Sequence, residues 1–203
     1  MERAELEKNI VAKEWDMFQK VKGIDGRASC QDDWKTFFIM RISQFESWDL
    51  SVLKSYYADL LEAEKQERNL VMEKYAFMME ETDPVYFLSI RSLLPEVSEK
   101  KELIAEKITS CFMKWEQEME KTHPNVRKHG RPAEGIGSDG TASFRNYLKC
   151  ELYTYSERTL ALFLLSIEKN PDCNRYKIAM EKMVQAYGYA SLDEAEKALS
   201  NMP

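Results

Sequence analysis

Glycine and proline are scarce, at 7 and 6 in 203 residues. That scarcity excludes all-β and loop-rich designs, which need turn residues at short, regular intervals. Histidine is scarcer still, at 2. His123 and His129 lie close together with no acid at the helical offset of a zinc or di-iron site, so no metal ligands are expected. The four cysteines, Cys30, Cys111, Cys150 and Cys173, are far apart and form no C-x-x-C pair. This excludes a zinc knuckle or a redox dithiol and leaves reduced thiols as the expectation. No run approaches the roughly 20 apolar residues of a membrane span, and the opening MERAELEKN is too charged for a secretory signal. A cytoplasmic protein without a membrane partner is the expectation. Positive charge is not in excess either: 29 Lys and Arg stand against 35 Asp and Glu, a net charge of −6. Without a basic footprint, no nucleic-acid partner is expected. Self-similarity at solenoid periods and long heptad runs are also missing.

What is present is helical periodicity. A chain this long, 44% hydrophobic and 32% charged, can bury a sizeable core. Apolar residues recur at spacings of three and four over about 4–22, 34–48, 50–68, 70–81, 84–94, 98–121, 142–170 and 173–187, with a short SLDEAEKALS segment near the end. Asn69 reads as an N-cap, Pro84 as a first helical residue and Ser98 as another N-cap. The expected architecture is all-α: an irregular single-domain bundle of about seven or eight helices over 1–203, interrupted by one flexible loop at 122–141. That loop carries the basic run Arg127, Lys128, His129 and Arg131, which suits an anionic ligand but also suits a solvated loop. Its glycines, in GIGSDG, do not follow a strand, so a phosphate-cradling fingerprint is not supported.

Four places break the apolar pattern. In GRASCQDDW, Ser29 and Asp32 fit a capping box, which puts Cys30 in the first turn of a helix, near unsatisfied N–H groups that favour a thiolate. Asp32 and Asp33 oppose that effect, and with Asp32 as the N-cap Cys30 becomes a small buried loop residue instead. Glu14 lies between Ile10 or Val11 and Phe18, on the core side of its helix. It must be paired, with Arg27 or Arg41 as candidates, or serve as an acid or base. Arg41 and Gln44 border the stripe of Trp34, Phe38, Ile42 and Phe45, where a planar fork suits an internal carboxylate or a ligand's carboxylate or phosphate. Glu151 sits one turn from Tyr147 and one turn from Tyr155, as a structural network or a general acid/base.

On GRASCQDD, on F-x-x-x-R-x-S-Q-F-x-x-W, on RNLVMEKYAFMME-x-T-x-P and on ELYTYSERTL, the chain resembles an uncharacterised bacterial domain-of-unknown-function family over nearly its whole length. The resemblance supplies no reaction, cofactor or substrate. It implies that Arg27, Cys30, Gln31, Asp32, Asp33, Arg41, Gln44, Glu73, Lys74, Glu151 and Tyr155 sit in signature blocks. Phe77 departs from the pattern, standing where a basic residue is expected.

Two functions follow as expectations. In the first, a partly buried pocket binds a small polar or anionic molecule through Arg27, Gln31, Asp32, Asp33, Arg41, Gln44 and Tyr155. Cys30, Glu14 and Glu151 are its candidate catalytic groups. No histidine stands near Cys30 in sequence, which weighs against a thiol engine. In the second, the same residues form a structural polar network inside a non-catalytic interaction or regulatory module. Cofactor and oligomeric state are left open.

Overall fold

A computed structural model of the chain describes residues 2–23 and 26–200. Among them are eleven α-helices: α1 Arg3–Gln19, α2 Trp34–Glu46, α3 Leu50–Lys65, α4 Leu70–Thr82, α5 Pro84–Ile90, α6 Glu99–Thr122, α7 Pro124–Lys128, α8 Phe144–Tyr153, α9 Glu157–Lys169, α10 Arg175–Ala186 and α11 Leu192–Ser200. Short 3₁₀ turns occupy Ser29–Asp32 and Arg91–Leu93. The all-α class holds, and the expected seven or eight helices are corrected to eleven.

Two local effects raise the number. The segment 142–170 is not one helix but two. Thr154 Oγ1 donates to the Glu151 carbonyl, and Ser156 Oγ caps α9 at the Thr159 amide, 3.2 Å away. Asp59 in turn accepts from the Ser156 amide and the Thr159 hydroxyl. These side-chain bonds offer the backbone an alternative to continuing the helix, with no Gly or Pro to announce it. The segment 122–141, expected to be one irregular loop, contains α7. Its first amides are satisfied from outside: Glu196 on α11 accepts from Asn125 and Val126, at 2.9 and 2.8 Å.

Other boundaries follow their caps. Asn69, Asp83 and Ser98 accept amide hydrogens three residues downstream, as N-caps do. The helix expected to reach Arg68 stops at Lys65 because Glu67 takes a left-handed conformation, φ 55°. The Arg68 amide then reaches back to the Ala63 carbonyl at 2.8 Å, a Schellman closure made without the usual glycine.

One apolar core joins α1, α3, α4, α6, α8 and α9, with Leu6, Ile10, Val52, Leu53, Leu60, Ile108, Leu152 and Leu160 almost completely buried. Phe45, Trp48, Tyr56, Tyr155 and Phe163 form an aromatic layer within it, with Tyr56 and Tyr155 4.5 Å apart between centroids. A smaller cluster of Met119, Val126, Val184, Leu192 and Ala195 closes the end built from α6, α7, α10 and α11. Leu103 on α6 faces away from the core and is 59% exposed. Against this apolar background, a patch of charge sits between α1, α2, α4 and α8.

Candidate functional site

The inward face of α1 repeats at three and four residues, and this periodicity carries Glu14 inside along with Ile10, Val11 and Phe18. The same geometry on α2 turns Arg41 inward toward α1, where it is 6% exposed and Glu14 is 2% exposed. Their contact is a fork on a fork: Nε to Oε2 at 2.7 Å and Nη2 to Oε1 at 2.5 Å. Glu151 of α8 approaches the other edge of the guanidinium, at 3.0 Å from Nη2 and 3.3 Å from Nη1. Nη1 also donates to the Gln44 side chain at 2.7 Å. Every N–H of Arg41 is therefore engaged.

Three more groups complete the cluster. The Tyr56 hydroxyl on α3 donates to Glu14 and the Tyr155 hydroxyl to Glu151, both at 2.7 Å. Lys74 on α4 lies 3.2 Å from Glu151 and donates to the Tyr147 hydroxyl at 2.7 Å. Two carboxylates thus face two cations, with no charge left over. None of the buried polar atoms lacking a partner belongs to this set. The network ties five helices and the α8–α9 turn into one polar interior.

The electrostatics follow from that geometry. Burial alone pushes the Glu151 carboxyl up, but Arg41 and Lys74, helped by the hydrogen bonds from Tyr155 and Arg41, outweigh it and hold the group down to about 2. Burial and the neighbouring carboxylates push the Tyr56 and Tyr155 hydroxyls well above the ordinary phenol range, so both remain donors. Burial opposes the charge on Lys74, yet Tyr147 and Glu151 prevail and the ammonium is held more firmly than usual.

The hydrogen bonds of the GRASCQDD block go elsewhere. Gly26, at φ 92°, exchanges two backbone hydrogen bonds with Gly23 to close a turn that a residue with a side chain would strain. Gln31 is buried, but its amide points at the end of α1, donating to the carbonyls of Phe18 and Val21 at 2.7 and 3.0 Å. Exposed Arg27 pairs with Asp32 at 2.8 Å and also donates to Gln19 and the Gln31 carbonyl. The N-cap of α2 is Asp33, not Ser29 or Asp32, with Oδ1 3.0 Å from the Thr36 amide. These residues end one helix and start the next. Cys30 accordingly sits in the 3₁₀ turn before α2 rather than in the first turn of that helix, and it is exposed rather than buried. Of the residues expected to converge, Arg41, Gln44, Glu14, Glu151 and Tyr155 are joined by hydrogen bonds, whereas Arg27, Cys30, Gln31, Asp32 and Asp33 bond elsewhere, with Cys30 near enough to Tyr75 to act on its hydroxyl alongside Lys74 and Tyr147.

The thiols differ in a testable way. Cys150 is buried, donates to Asn146 at 3.0 Å and is pushed up by burial to about 12. Under native conditions a maleimide or iodoacetamide time course, read by peptide mass, should label exposed Cys30 at least about tenfold faster than Cys150, since thiolate and access govern the rate. Equal rates would contradict the placement of both.

Sequence reasoning did not assign Lys74 or Tyr56 to the site. Lys74 carried a signal of the same kind as Glu14, a charge next to the inward stripe of its helix. Tyr56 carried none, because on an apolar stripe a tyrosine reads as core. Glu73, beside Lys74, faces another way and is held by both arms of Arg68, at 2.7 and 2.8 Å.

The basic run of 122–141 is largely engaged within the protein. Arg127 pairs closely with buried Glu116 and donates to the Arg131 carbonyl. Arg131 donates to the Ala142 carbonyl and lays its guanidinium over the Tyr147 ring at 4.7 Å. An open hollow of about 700 Å³ lies between these residues, Lys128, Asn125 and the 137–139 turn. Among the described residues, no group of three or more His, Cys, Asp and Glu side chains is placed to hold a metal ion, and no helix is long and apolar enough to cross a membrane.

Comparison with known proteins gives one result. A family model described as "Protein of unknown function (DUF4125)" matches residues 4–197. No curated protein and no solved structure matches the chain.

Proposed function

This chain belongs to the DUF4125 family of proteins of unknown function, and we propose that it acts as a non-catalytic interaction module whose buried charges fix the register of its helices. The observation that carries this reading is the saturation of Arg41. A clamp for a ligand carboxylate or phosphate must offer free N–H groups, whereas here all of them are spent on Glu14, Gln44 and Glu151. A proton-transferring Glu151 would also need a pKa near the working pH, and Arg41 and Lys74 drive it the other way. A fully satisfied buried network is the arrangement that specifies one packing of a core. Exposed faces then make the contacts through which the module works.

A second reading keeps ligand binding, moved from the buried cluster to its edge. Tyr147 is half-buried, with Lys74 on its hydroxyl and Arg131 on its ring, and Arg131 also lines the hollow described above. A small carboxylate or phosphate there would meet Arg131 and Lys128.

A thermal-shift series with inorganic phosphate, citrate and a panel of small carboxylates separates the two, because a ligand that binds only the folded state raises the melting temperature. The module reading expects no dose-dependent rise. A rise in the wild type that disappears in Arg131→Ala would replace it with the second reading.

A further inference from the structure

On α5 and the turn after it, aliphatic side chains stand outward together. Val85, Leu88 and Leu93 are 82%, 72% and 80% exposed, and Tyr86 is exposed beside them, while Phe87 alone anchors the segment in the core. Val85 and Leu88 are three apart and share a helix face. The helix begins at Pro84 under the Asp83 cap and packs chiefly on α4, so its outer face has no covering element. Singly exposed apolar residues are ordinary, but several grouped on one short element mark a contact surface.

The charges at the two ends of this segment identify the occupant. Glu81 and Asp83 precede it and Arg91 follows it, all without an ion-pair partner among the described residues. An acidic peptide would satisfy Arg91 and be repelled at the other end, and a basic one the reverse. An anionic lipid surface requires Lys and Arg around the apolar face, and here Glu81 and Asp83 occupy one end of it. A second copy of the same segment, run antiparallel about a two-fold axis, sets each Arg91 against the other copy's acids and covers both apolar faces with the same residues.

We propose that the α5 face is a self-association surface, and that the chain pairs isologously through Val85, Leu88 and Leu93, with Arg91 of one copy near Glu81 of the other. The inference deepens the interaction-module reading and rests on it. Four outward side chains on so short a segment fall short of the ~800 Å² per partner of a stable interface, so the dimer is weak and depends on concentration.

Sedimentation-velocity or light-scattering mass, measured on the full chain from micromolar to near-millimolar concentration, tests it. The mass should climb from monomer toward dimer over that range. Val85→Glu with Leu88→Glu should leave a monomer throughout at an unchanged melting temperature, since neither side chain is in the core. Arg91→Glu should weaken the dimer at least about tenfold, and adding Glu81→Arg, which exchanges the two signs, should restore it. A wild type that stays monomeric at every concentration overturns the proposal. So does a dimer that is unaffected by the Val85 and Leu88 changes, or one in which the sign exchange restores nothing. The interaction-module reading fails separately, by stabilisation with a small anion, so the two failures are distinguishable.

Discussion

Acidification from about pH 4.5 to pH 2 should remove on the order of 3 kcal/mol of folding stability through Glu151 alone, because its carboxyl is held at about 2 in the fold against an ordinary value of 4.5. The sign follows from the direction of the shift. A carboxyl whose folded pKa is depressed adds stability that is fully present above the unfolded value and is lost as the pH falls through the folded one. Other carboxyls held low, such as Glu196, which accepts the α7 amides, lose stability with the same sign. Glu7 works the opposite way, being pushed up chiefly by burial. The Glu151 share is isolated by urea unfolding of wild type and Glu151→Gln at several pH values. The wild-type curve should fall more steeply than the variant's between pH 4.5 and 2, and parallel curves would show that Arg41 and Lys74 do not hold the carboxylate.

Arg41→Met should destabilise the protein by about 3–5 kcal/mol at neutral pH. Exposed ion pairs such as Lys65–Glu62 are worth a fraction of that, because water and salt screen them. Arg41 differs because, among the described residues, it is the sole cation paired with Glu14 and one of two paired with Glu151. Its removal leaves two buried carboxylates against one ammonium and strips the Glu14 oxygens of their shortest bonds. The cost lies mainly in the stranded charge rather than in the lost attraction. A drop of less than 1 kcal/mol in the unfolding free energy would mean that the carboxylates reach water or protonate freely, and that the cluster is not the closed set described here.

How much of this was legible in the sequence depends on the kind of signal. Glu14 and Glu151 stood out because a carboxylate on an apolar stripe has to be answered by something, and Arg41 was named as an answer to Glu14. Helical periodicity gives direction, so each inward charge could be read on its own helix. It does not give distance between helices, so Lys74 and Tyr56 joined the cluster only when α4 and α3 were placed beside α8 and α1. Tyr155 was read on one continuous helix with Glu151. The helix ends at Tyr153, yet the hydroxyl still returns to Glu151. The errors at helix ends share a cause: Glu67 adopts a left-handed conformation without being glycine, and Ser156 starts α9 by side-chain bonds that compete with the preceding helix. In the GRASCQDD block, residue types that suit an active site serve to cap one helix and start another. Cysteine and paired acids have the same appearance in either role until the backbone amides they face are known.

The four buried charges are there for one another. That dependence is read by comparing the unfolding free energy of Arg41→Met with that of Arg41→Met combined with Glu14→Gln. The second change removes one stranded carboxylate, leaves Glu151 and Lys74 as a balanced pair, and keeps an acceptor for the Tyr56 hydroxyl. The double variant should be more stable than the single one by about 1–2 kcal/mol, a strong departure from additivity between residues in contact. A double variant that loses the sum of the two single effects, or an Arg41→Met protein as stable as the wild type, would contradict it.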